Sequence, residues 1–262
     1  MPIDTKTTAD LANILYCAAR DAKAVVKITD AHPDLTWDDA YAVQDQLRKM
    51  KEDDGRRLVG LKMGLTSRAK MEQMGVEDPI CGFLTDDNVA GDGETIDTSA
   101  LIHPKVEAEV AFVTKETLRG PGCHVGDVLR ATDFVIPALE VIDSRYENFR
   151  FDMPSVIADN TSAARFVTGG RPASPRDVDL KTIGVVVSRN GEVVETGAGA
   201  AVLGDPALSV ATLANMLAKR GRDIPAGTLI LTGGITRAIL VEPGDTIVAD
   251  YQHLGQLSVS FK

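Results

Sequence analysis

Two segments in the middle of the chain place glutamates inside otherwise apolar, strand-like sequence. Glu107 and Glu109 alternate with valine and alanine between residues 106 and 110, and side chains two apart on a strand point to the same face. Glu140 lies within the apolar stretch 134–142, where an unpaired carboxylate would be costly. Carboxylates that converge in apolar surroundings need a cation. The pattern therefore predicts a β-rich region with a buried site for Mg²⁺ or Mn²⁺.

The same residues have simpler explanations, which the pattern alone leaves open. A Glu-x-Glu pair also occurs on strands that face solvent, and Glu140 could form a buried ion pair with Arg145 or Arg165 instead of binding a metal. A solvent-exposed face does not account for the acid at position 140, because both of its chain neighbours are apolar. We therefore favour the metal site over the ion pair.

Lys62 is a second unusual charge, because it lies in the apolar, glycine-rich segment 59–67, which we interpret as a strand-to-helix passage. Three carboxylates around a divalent cation leave a net charge of about −1, which would repel an anionic ligand unless a basic residue compensates. Lys62 is our candidate for that residue, and a strand-end lysine that extends to solvent is the alternative. Helix amides after Leu65 or Thr66 could also receive an anion.

The first part of the chain has helical spacing. Apolar residues from Leu11 to Ala18 recur at intervals of three and four, as on one face of a helix. A second helix is predicted to begin after Thr36, which can cap it, and to end at Gly55. A third, short helix is predicted from 66 to 75.

After about residue 76 the sequence changes to short β-type segments separated by Gly, Pro and Asp turns. Asn190-Gly191 lies between two such segments and predicts a β-hairpin. One later helix is predicted at about 206–220. We therefore predict an N-terminal helical cap over residues 1–75 and a β-rich, metal-binding catalytic core over 76–262, joined as one integrated unit.

The composition limits the class of function. The chain has 262 residues and a net charge of −10, so the phosphates of a nucleic acid would be repelled. Cys17, Cys81 and Cys123 form no Cys-x-x-Cys pair, which favours a reducing, cytoplasmic location over a disulfide framework. We expect no membrane association, because the N-terminus is polar and no apolar run approaches the roughly 18 residues of a membrane span.

Four motifs, in their order and spacing, resemble those of the fumarylacetoacetate hydrolase superfamily, and in particular its hydratase/decarboxylase branch. The motifs are Gly60-Leu-Lys-Met-Gly-Leu-Thr-Ser67, Pro104-Lys-Val-Glu-Ala-Glu-Val-Ala-Phe112, Leu139-Glu-Val-Ile-Asp-Ser-Arg145 and Ala158-Asp-Asn-Thr-Ser162. The resemblance covers nearly the whole chain. It implies an α+β fold with a mainly β core, the mixed β-roll of that superfamily, and an N-terminal helical cap.

The resemblance also implies roles for individual residues. It implies that Glu107, Glu109 and Glu140 hold Mg²⁺ or Mn²⁺. The catalytic and substrate-binding positions that we predict with it are Lys62, Asp78, Leu65 through its main chain, Ser162 and Thr232. The segment that begins at Thr232, Thr-Gly-Gly-Ile-Thr, is either a tight turn or a row of backbone amides exposed to a ligand.

Within that branch, the chain most resembles members that decarboxylate a 2-oxo dicarboxylate. The segments that favour them over the sister hydratases are Lys62-Met63, Cys123-His124, Ser144-Arg-Tyr-Glu-Asn-Phe149 and Thr232-Gly-Gly-Ile-Thr236. The implied reaction converts (3E)-2-oxohex-3-enedioate to 2-hydroxypenta-2,4-dienoate and CO₂, in the meta-cleavage degradation of aromatic compounds. The resemblance implies two kinds of partner: the hydratase that consumes this dienol, and further copies of the chain in a homo-oligomer. The alternatives are that the chain is itself the 2-hydroxypenta-2,4-dienoate (vinylpyruvate) hydratase, or a catalytically silent subunit that stabilises it.

Overall fold

Two β-sheets form the centre of the computed structural model, which describes residues 2–67, 71–72 and 76–262. The described helices are α1 (Thr5–Arg20), α2 (Trp37–Asp53), α3 (Val125–Ala131), α4 (Met153–Ala158) and α5 (Pro206–Ala218). The described strands are β1 (Leu58–Gly64), β2 (Ile80–Thr85), β3 (Val89–Ala90), β4 (Thr95–Ile96), β5 (Lys105–Thr114), β6 (Thr132–Ile142), β7 (Ala163–Thr168), β8 (Gly184–Arg189), β9 (Glu192–Ala198), β10 (Leu229–Leu231), β11 (Ile239–Leu240), β12 (Thr246–Tyr251) and β13 (Gly255–Phe261).

The two predicted N-terminal helices are confirmed as α1 and α2. Asp4 caps α1, and Thr36 caps α2 in a reciprocal capping box with Asp39, which satisfies backbone amides that a helix start leaves unpaired. Gly55 follows α2 in the left-handed conformation, at a φ of 83°, as expected of a residue that ends a helix. The third predicted helix, 66–75, falls largely outside the described residues.

The larger sheet contains eight strands in the order β2-β1-β10-β5-β6-β7-β3, with β11 paired to β5. Its neighbours are antiparallel except for the β1–β10 and β3–β7 pairs. The smaller sheet has the order β4-β13-β12-β8-β9. Tyr251 on β12 joins the sheets, because its hydroxyl lies 2.7 and 2.9 Å from the carbonyl oxygens of Glu109 and Ala138.

The sheet begins earlier in the chain than we predicted. β1 pairs with both β2 and β10, so strand structure starts at Leu58, inside the segment 1–75 that we predicted as a helical cap. Leu61 and Met63 are buried, and burial of these apolar side chains in the core draws the segment into the sheet. The division into a cap and a core as separate units stays a prediction.

The β-rich part agrees with the sequence patterns. Asn190-Gly191 joins β8 to β9 with φ values of 55° and 86°, which are those of a type I′ hairpin turn. Asp205 caps α5 at the predicted position. The α+β class, with N-terminal helices and a core built on two sheets, is confirmed.

One apolar segment resembles a membrane span by length and composition alone. The stretch Gly199–Ala218, which contains α5, is long and apolar enough by composition to cross a membrane. Half of it is buried inside the protein, and α5 packs Val210 and Leu213 into the core with no exposed surface. This is the pattern of a core helix in a folded domain.

Candidate metal and substrate site

The β5–β6 pair brings the three glutamates together. Its antiparallel register places Glu107 directly opposite Glu140, and Glu109 shares the face of Glu107. One carboxylate oxygen from each of the three lies within 4.8 Å of the others, and all three side chains are buried. Like charges that face each other across a strand pair destabilise a sheet, so this arrangement requires positive charge nearby.

Lys62 supplies part of that charge. Its Nζ lies 2.6 Å from Glu140 Oε1 and donates a hydrogen bond of 2.9 Å to the Thr161 carbonyl oxygen. The residue is 2% exposed, so the alternative of a lysine that extends to solvent is wrong. Glu140 does form an ion pair, but its partner is Lys62. Arg145, one of the partners we considered, pairs with Asp159 instead.

The contact between Lys62 and Glu140 requires a curled sheet. Their strands, β1 and β6, are separated by β10 and β5, which in a flat sheet corresponds to roughly 14 Å. Extended lysine and glutamate side chains do not span that distance within the plane of a sheet. The twist and curl of the strands therefore bring the two charges together over one face.

The carboxylates retain negative charge that Lys62 does not balance. Glu109 Oε2 accepts a hydrogen bond of 2.7 Å from the Gly233 amide, while its Oε1 is buried without a hydrogen-bond partner among the described residues. Burial raises the pKa of Glu109 well above its usual range, and the charges of Glu140 and Glu107 raise it further. Burial also raises the pKa of Glu140, although Lys62 opposes that shift.

This donor set fits a hard divalent cation. Three buried carboxylates provide oxygen ligands, and oxygen is the ligand atom that Mg²⁺ prefers. A cation between the carboxylates would give Glu109 Oε1 a partner and would offset the repulsion between Glu107 and Glu140. Gly234 borders the same place, since a Cβ atom there would lie 2.6 Å from Glu107 Oε2.

A cavity of about 490 Å³ opens beside the carboxylates, a size within the range of small-molecule sites. Its wall is mainly apolar, and the large apolar side chains that form it are Met63, Leu65, Ile80, Ile142, Phe149, Phe151 and Val156. Besides Lys62, it contains the cations Lys105 and Arg237. Lys105 Nζ lies 3.8 Å from the centre of the Phe149 ring, a cation–π contact.

Our sequence analysis missed Lys105, although a signal was available. Lys105 precedes Glu107 by two residues, so strand alternation places both on one face. Strand alternation gave no signal for Phe149 and Arg237, because Phe149 reaches the cavity from a 3₁₀ turn (Glu147–Phe149) and Arg237 from a loop.

Several residues around the cavity have a strained backbone. Leu65, Phe149, Thr161 and Ser162 line it and have φ values between 52° and 60°, in the left-handed region that disfavours residues with a Cβ atom. Such strain persists only where the surrounding structure imposes it, and it is concentrated at functional sites.

The consecutive left-handed residues Asn160, Thr161 and Ser162 are held from two sides. The Asn160 side chain accepts a hydrogen bond from the Phe83 amide and donates one to the Phe83 carbonyl, each 2.9 Å long. Arg145 donates to Asp159, just before these residues, and to the Ala163 carbonyl, just after them. This clamp presents the Thr161 carbonyl to Lys62.

Apart from Lys62, the predicted catalytic residue Asp78 and the predicted substrate-binding residues fall into two groups. Leu65 and Ser162 line the cavity, and Ser162 Oγ is buried with no hydrogen-bond partner in the described part of the chain. Asp78 is exposed, in a bend before β2. Thr232 is fully buried, and its hydroxyl donates to the Val110 carbonyl at 2.8 Å, which ties β10 to β5. Roles for Asp78 and Thr232 at the substrate stay predictions without a supporting contact.

Comparison with known proteins matches the chain along its length. A 4-oxalocrotonate decarboxylase from Pseudomonas sp. (strain CF600) is 61% identical over 251 residues, which are 96% of this chain and 95% of that protein. A 2-keto-4-pentenoate hydratase from Paraburkholderia xenovorans (strain LB400) is 40% identical over 97% of this chain and 94% of its own.

A solved structure agrees with the fold in detail. It is that of 4-oxalocrotonate decarboxylase from Pseudomonas putida G7, complexed with magnesium and adipate. Its TM-score is 0.98, its sequence identity is 57%, and the match covers 99% of both chains. Residues 37–262 also match the family model described as fumarylacetoacetate (FAA) hydrolase, C-terminal. This chain therefore belongs to the fumarylacetoacetate hydrolase family.

Proposed function

We propose that this chain catalyses the metal-dependent decarboxylation of (3E)-2-oxohex-3-enedioate (4-oxalocrotonate) to 2-hydroxypenta-2,4-dienoate and CO₂. The observation that carries the proposal is the 61% identity to a 4-oxalocrotonate decarboxylase along nearly the whole chain, against 40% to a hydratase. The site is consistent with it, because a cluster of acidic oxygens and Lys62 lies beside a largely apolar cavity.

Glu107, Glu109 and Glu140 would hold Mg²⁺ or Mn²⁺. The relative that has been solved with magnesium and adipate supports this choice. Bound there, the cation would supply Lewis-acid stabilisation of the negative charge that grows on the substrate's C2 oxygen.

The substrate provides its own electron sink. Loss of CO₂ breaks the C5–C6 bond and leaves the electron pair on C5, and conjugation through C3=C4 transfers it to the C2 oxygen. A proton on that oxygen completes the dienol. Lys62, buried between Glu140 and the Thr161 carbonyl, would place positive charge or a proton at this oxygen.

The apolar wall favours departure of the second carboxylate. Ile142, Phe151 and Val156 line the cavity, and a poorly solvated carboxylate gains most from losing its charge as neutral CO₂. Lys105 and Arg237 would contribute positive charge for binding the dianion.

The test is an assay of purified protein with 2-oxohex-3-enedioate and Mg²⁺, in which CO₂ and the dienol are followed together. We expect Glu107→Gln to lower metal-dependent CO₂ release by at least ~10²-fold, because it removes one oxygen ligand from the charge-stabilising site. Glu116→Gln, at an exposed position, is the matched control and should leave the rate unchanged. Full activity without any divalent metal would contradict the proposal.

The second candidate is 2-hydroxypenta-2,4-dienoate hydratase, which the 40% identity to a 2-keto-4-pentenoate hydratase favours. The same assay separates the two, since a hydratase consumes the dienol and releases no CO₂. Magnesium binding without either reaction would instead favour a catalytically silent subunit.

We further propose that the chain acts in the cytoplasm as a homo-oligomer that associates with a 2-hydroxypenta-2,4-dienoate hydratase. The chemistry supports the association, because the product is the substrate of that hydratase. Co-expression followed by size-exclusion chromatography tests it: elution of the two proteins as separate species would contradict the association.

A further inference from the structure

A second cavity, of about 270 Å³, shares a wall with the candidate active site. Asn160, Ala163 and Arg165 line the second cavity, whereas Thr161 and Ser162 line the first. Residues of α1 and α2 close the other side. Its lining residues do not include any of the three clustered glutamates, so it is a separate place in the described structure.

The second cavity carries an excess of positive charge, although the whole chain has a net charge of −10. Its cations are Arg20, Lys51, Arg56, Arg145 and Arg165, and its acids are Asp87 and Asp143. A positively charged cavity in a negatively charged protein indicates a site for an anionic ligand.

The acids of this cavity already have partners. Asp87 Oδ2 lies 2.9 Å from Lys51 Nζ. Each carboxylate oxygen of Asp143 accepts one hydrogen bond from a backbone amide, that of Ile102 at 2.8 Å and that of His103 at 2.7 Å. Neither acid forms an ion pair with a described arginine.

Two guanidinium groups remain without an acidic partner within the described ranges. Arg165 is half-buried, and its one side-chain hydrogen bond there is from Nη1 to the adjacent Ala164 carbonyl, at 2.9 Å. Arg56 is exposed and forms no ion pair with a described carboxylate. Arg20 pairs with the exposed Asp21, and Arg145 with the buried Asp159.

Lys51 shows how crowded the positive charge is. Burial lowers the pKa of Lys51, and the charges of Arg145 and Arg165 lower it further, against the opposing effect of Asp87. An anion between Lys51 and Arg165 would relieve this repulsion. Asp87 Oδ1, which has no hydrogen-bond partner among the residues described, could accept a hydrogen bond from a hydroxyl of the same ligand.

We propose that this cavity is a second ligand site, which binds a small anion with two or more negative charges between Lys51 and Arg165, with Arg56 at its edge. Guanidinium and ammonium groups form strong, charge-assisted hydrogen bonds with phosphate or carboxylate oxygens. The volume accommodates inorganic phosphate or a short dicarboxylate. The inference does not depend on the proposed decarboxylase activity.

Calorimetric titration of the full-length, magnesium-loaded protein with inorganic phosphate, and separately with succinate, tests the site. We expect at least one of these anions to bind with one-to-one stoichiometry. Arg165→Gln should weaken that binding by about tenfold or more, the usual effect of losing a hydrogen bond between charged groups. The matched control is Arg176→Gln, an equal change of charge at an exposed position outside the cavity, and it should bind as the wild type does.

Further variants distinguish this site from the active site. Lys51→Gln should weaken binding as Arg165→Gln does, and Glu107→Gln should retain it. If Arg165→Gln lowers the thermal midpoint strongly, Arg165→Lys takes its place in the test. It keeps the positive charge and should bind the anion more tightly than Lys51→Gln does. The proposal is overturned if neither anion binds, or if Arg165→Gln and Lys51→Gln both bind the anion as tightly as the wild type does. It is also overturned if Glu107→Gln abolishes binding.

Discussion

Lys62 is the residue on which the electrostatic balance of the site depends. Its side chain is 3% exposed, and its ammonium group contacts both a carboxylate of the acidic cluster and a backbone carbonyl. A lysine so deeply buried is costly unless its charge is paired or used. Here it is paired with Glu140, one of the three clustered glutamates.

Replacing this lysine should affect the chemical step more than substrate binding. For Lys62→Met we expect kcat to fall by ~10²-fold or more, because a positive charge aimed at the developing oxyanion is lost. A change confined to KM would show that Lys62 only binds substrate. Steady-state kinetics of the decarboxylation, with Lys181→Met at an exposed position as the control, provide the measurement.

At the scale of secondary-structure elements, the site depends on how β2 supports the left-handed residues 160–162. The side chain of Asn160 forms hydrogen bonds with both the amide and the carbonyl of Phe83 on β2, as the backbone of a neighbouring strand would. The close approach of Asn160 and Thr161 to β2 requires a glycine at position 82. A Cβ atom there would lie 2.7 Å from both Asn160 Oδ1 and Thr161 Oγ1.

Gly82→Ala should therefore displace the residues that present the Thr161 carbonyl to Lys62. We expect a loss of about 1–3 kcal/mol in unfolding free energy, the usual cost of overpacking, together with a fall in kcat. Gly184→Ala is the matched control, because the nearest atom to a Cβ there lies at 3.9 Å, also within a strand. Equal urea-denaturation midpoints and rates for the two variants would contradict this account of the turn.

For the whole molecule, the buried acidic cluster makes stability depend on both pH and metal. The pKa values of Glu109 and Glu140 are raised above their usual value of 4.5, chiefly by burial. The pKa of Asp159 is raised to about 6, also chiefly by burial. Above their ordinary pKa values, these three carboxyl groups therefore hold more protons in the folded protein than in the unfolded chain. The stability that each group contributes is lost as pH rises.

We therefore predict that metal-free protein loses stability as pH rises from about 4.5 into the neutral range, and that Glu109→Gln loses less. At the upper end, the metal-free variant should exceed the wild type by about 1–3 kcal/mol, the cost of a desolvated group without a partner. Saturating Mg²⁺ should reverse this order, because the variant lacks a charged ligand. Urea denaturation across this pH range provides the measurement, with Glu116→Gln as the control. Parallel plots of unfolding free energy against pH for the metal-free wild type and Glu109→Gln would falsify the prediction.

The local patterns predicted much of this protein correctly. Helical spacing and the cap at Thr36 identified α2, Asn190-Gly191 identified the hairpin, and strand alternation placed Glu107 and Glu109 on one face. These succeeded because the conformational preferences concerned act over a few residues. The same reasoning places Lys62 in a strand-to-helix passage, but within the predicted helical cap, since nothing local shows that β1 joins a sheet whose other strands lie far along the chain.

The sequence by itself determined that three acids and one lysine have apolar neighbours on the chain, which favoured a buried cluster of charges without excluding solvent-facing positions. Only the tertiary structure decided which charges meet. The β5–β6 register sets Glu107 opposite Glu140, and the curled sheet brings Lys62, rather than Arg145 or Arg165, to Glu140. Pairing of this kind depends on contacts between residues about 80 positions apart, whose geometry arises from packing of the whole core rather than from local preference.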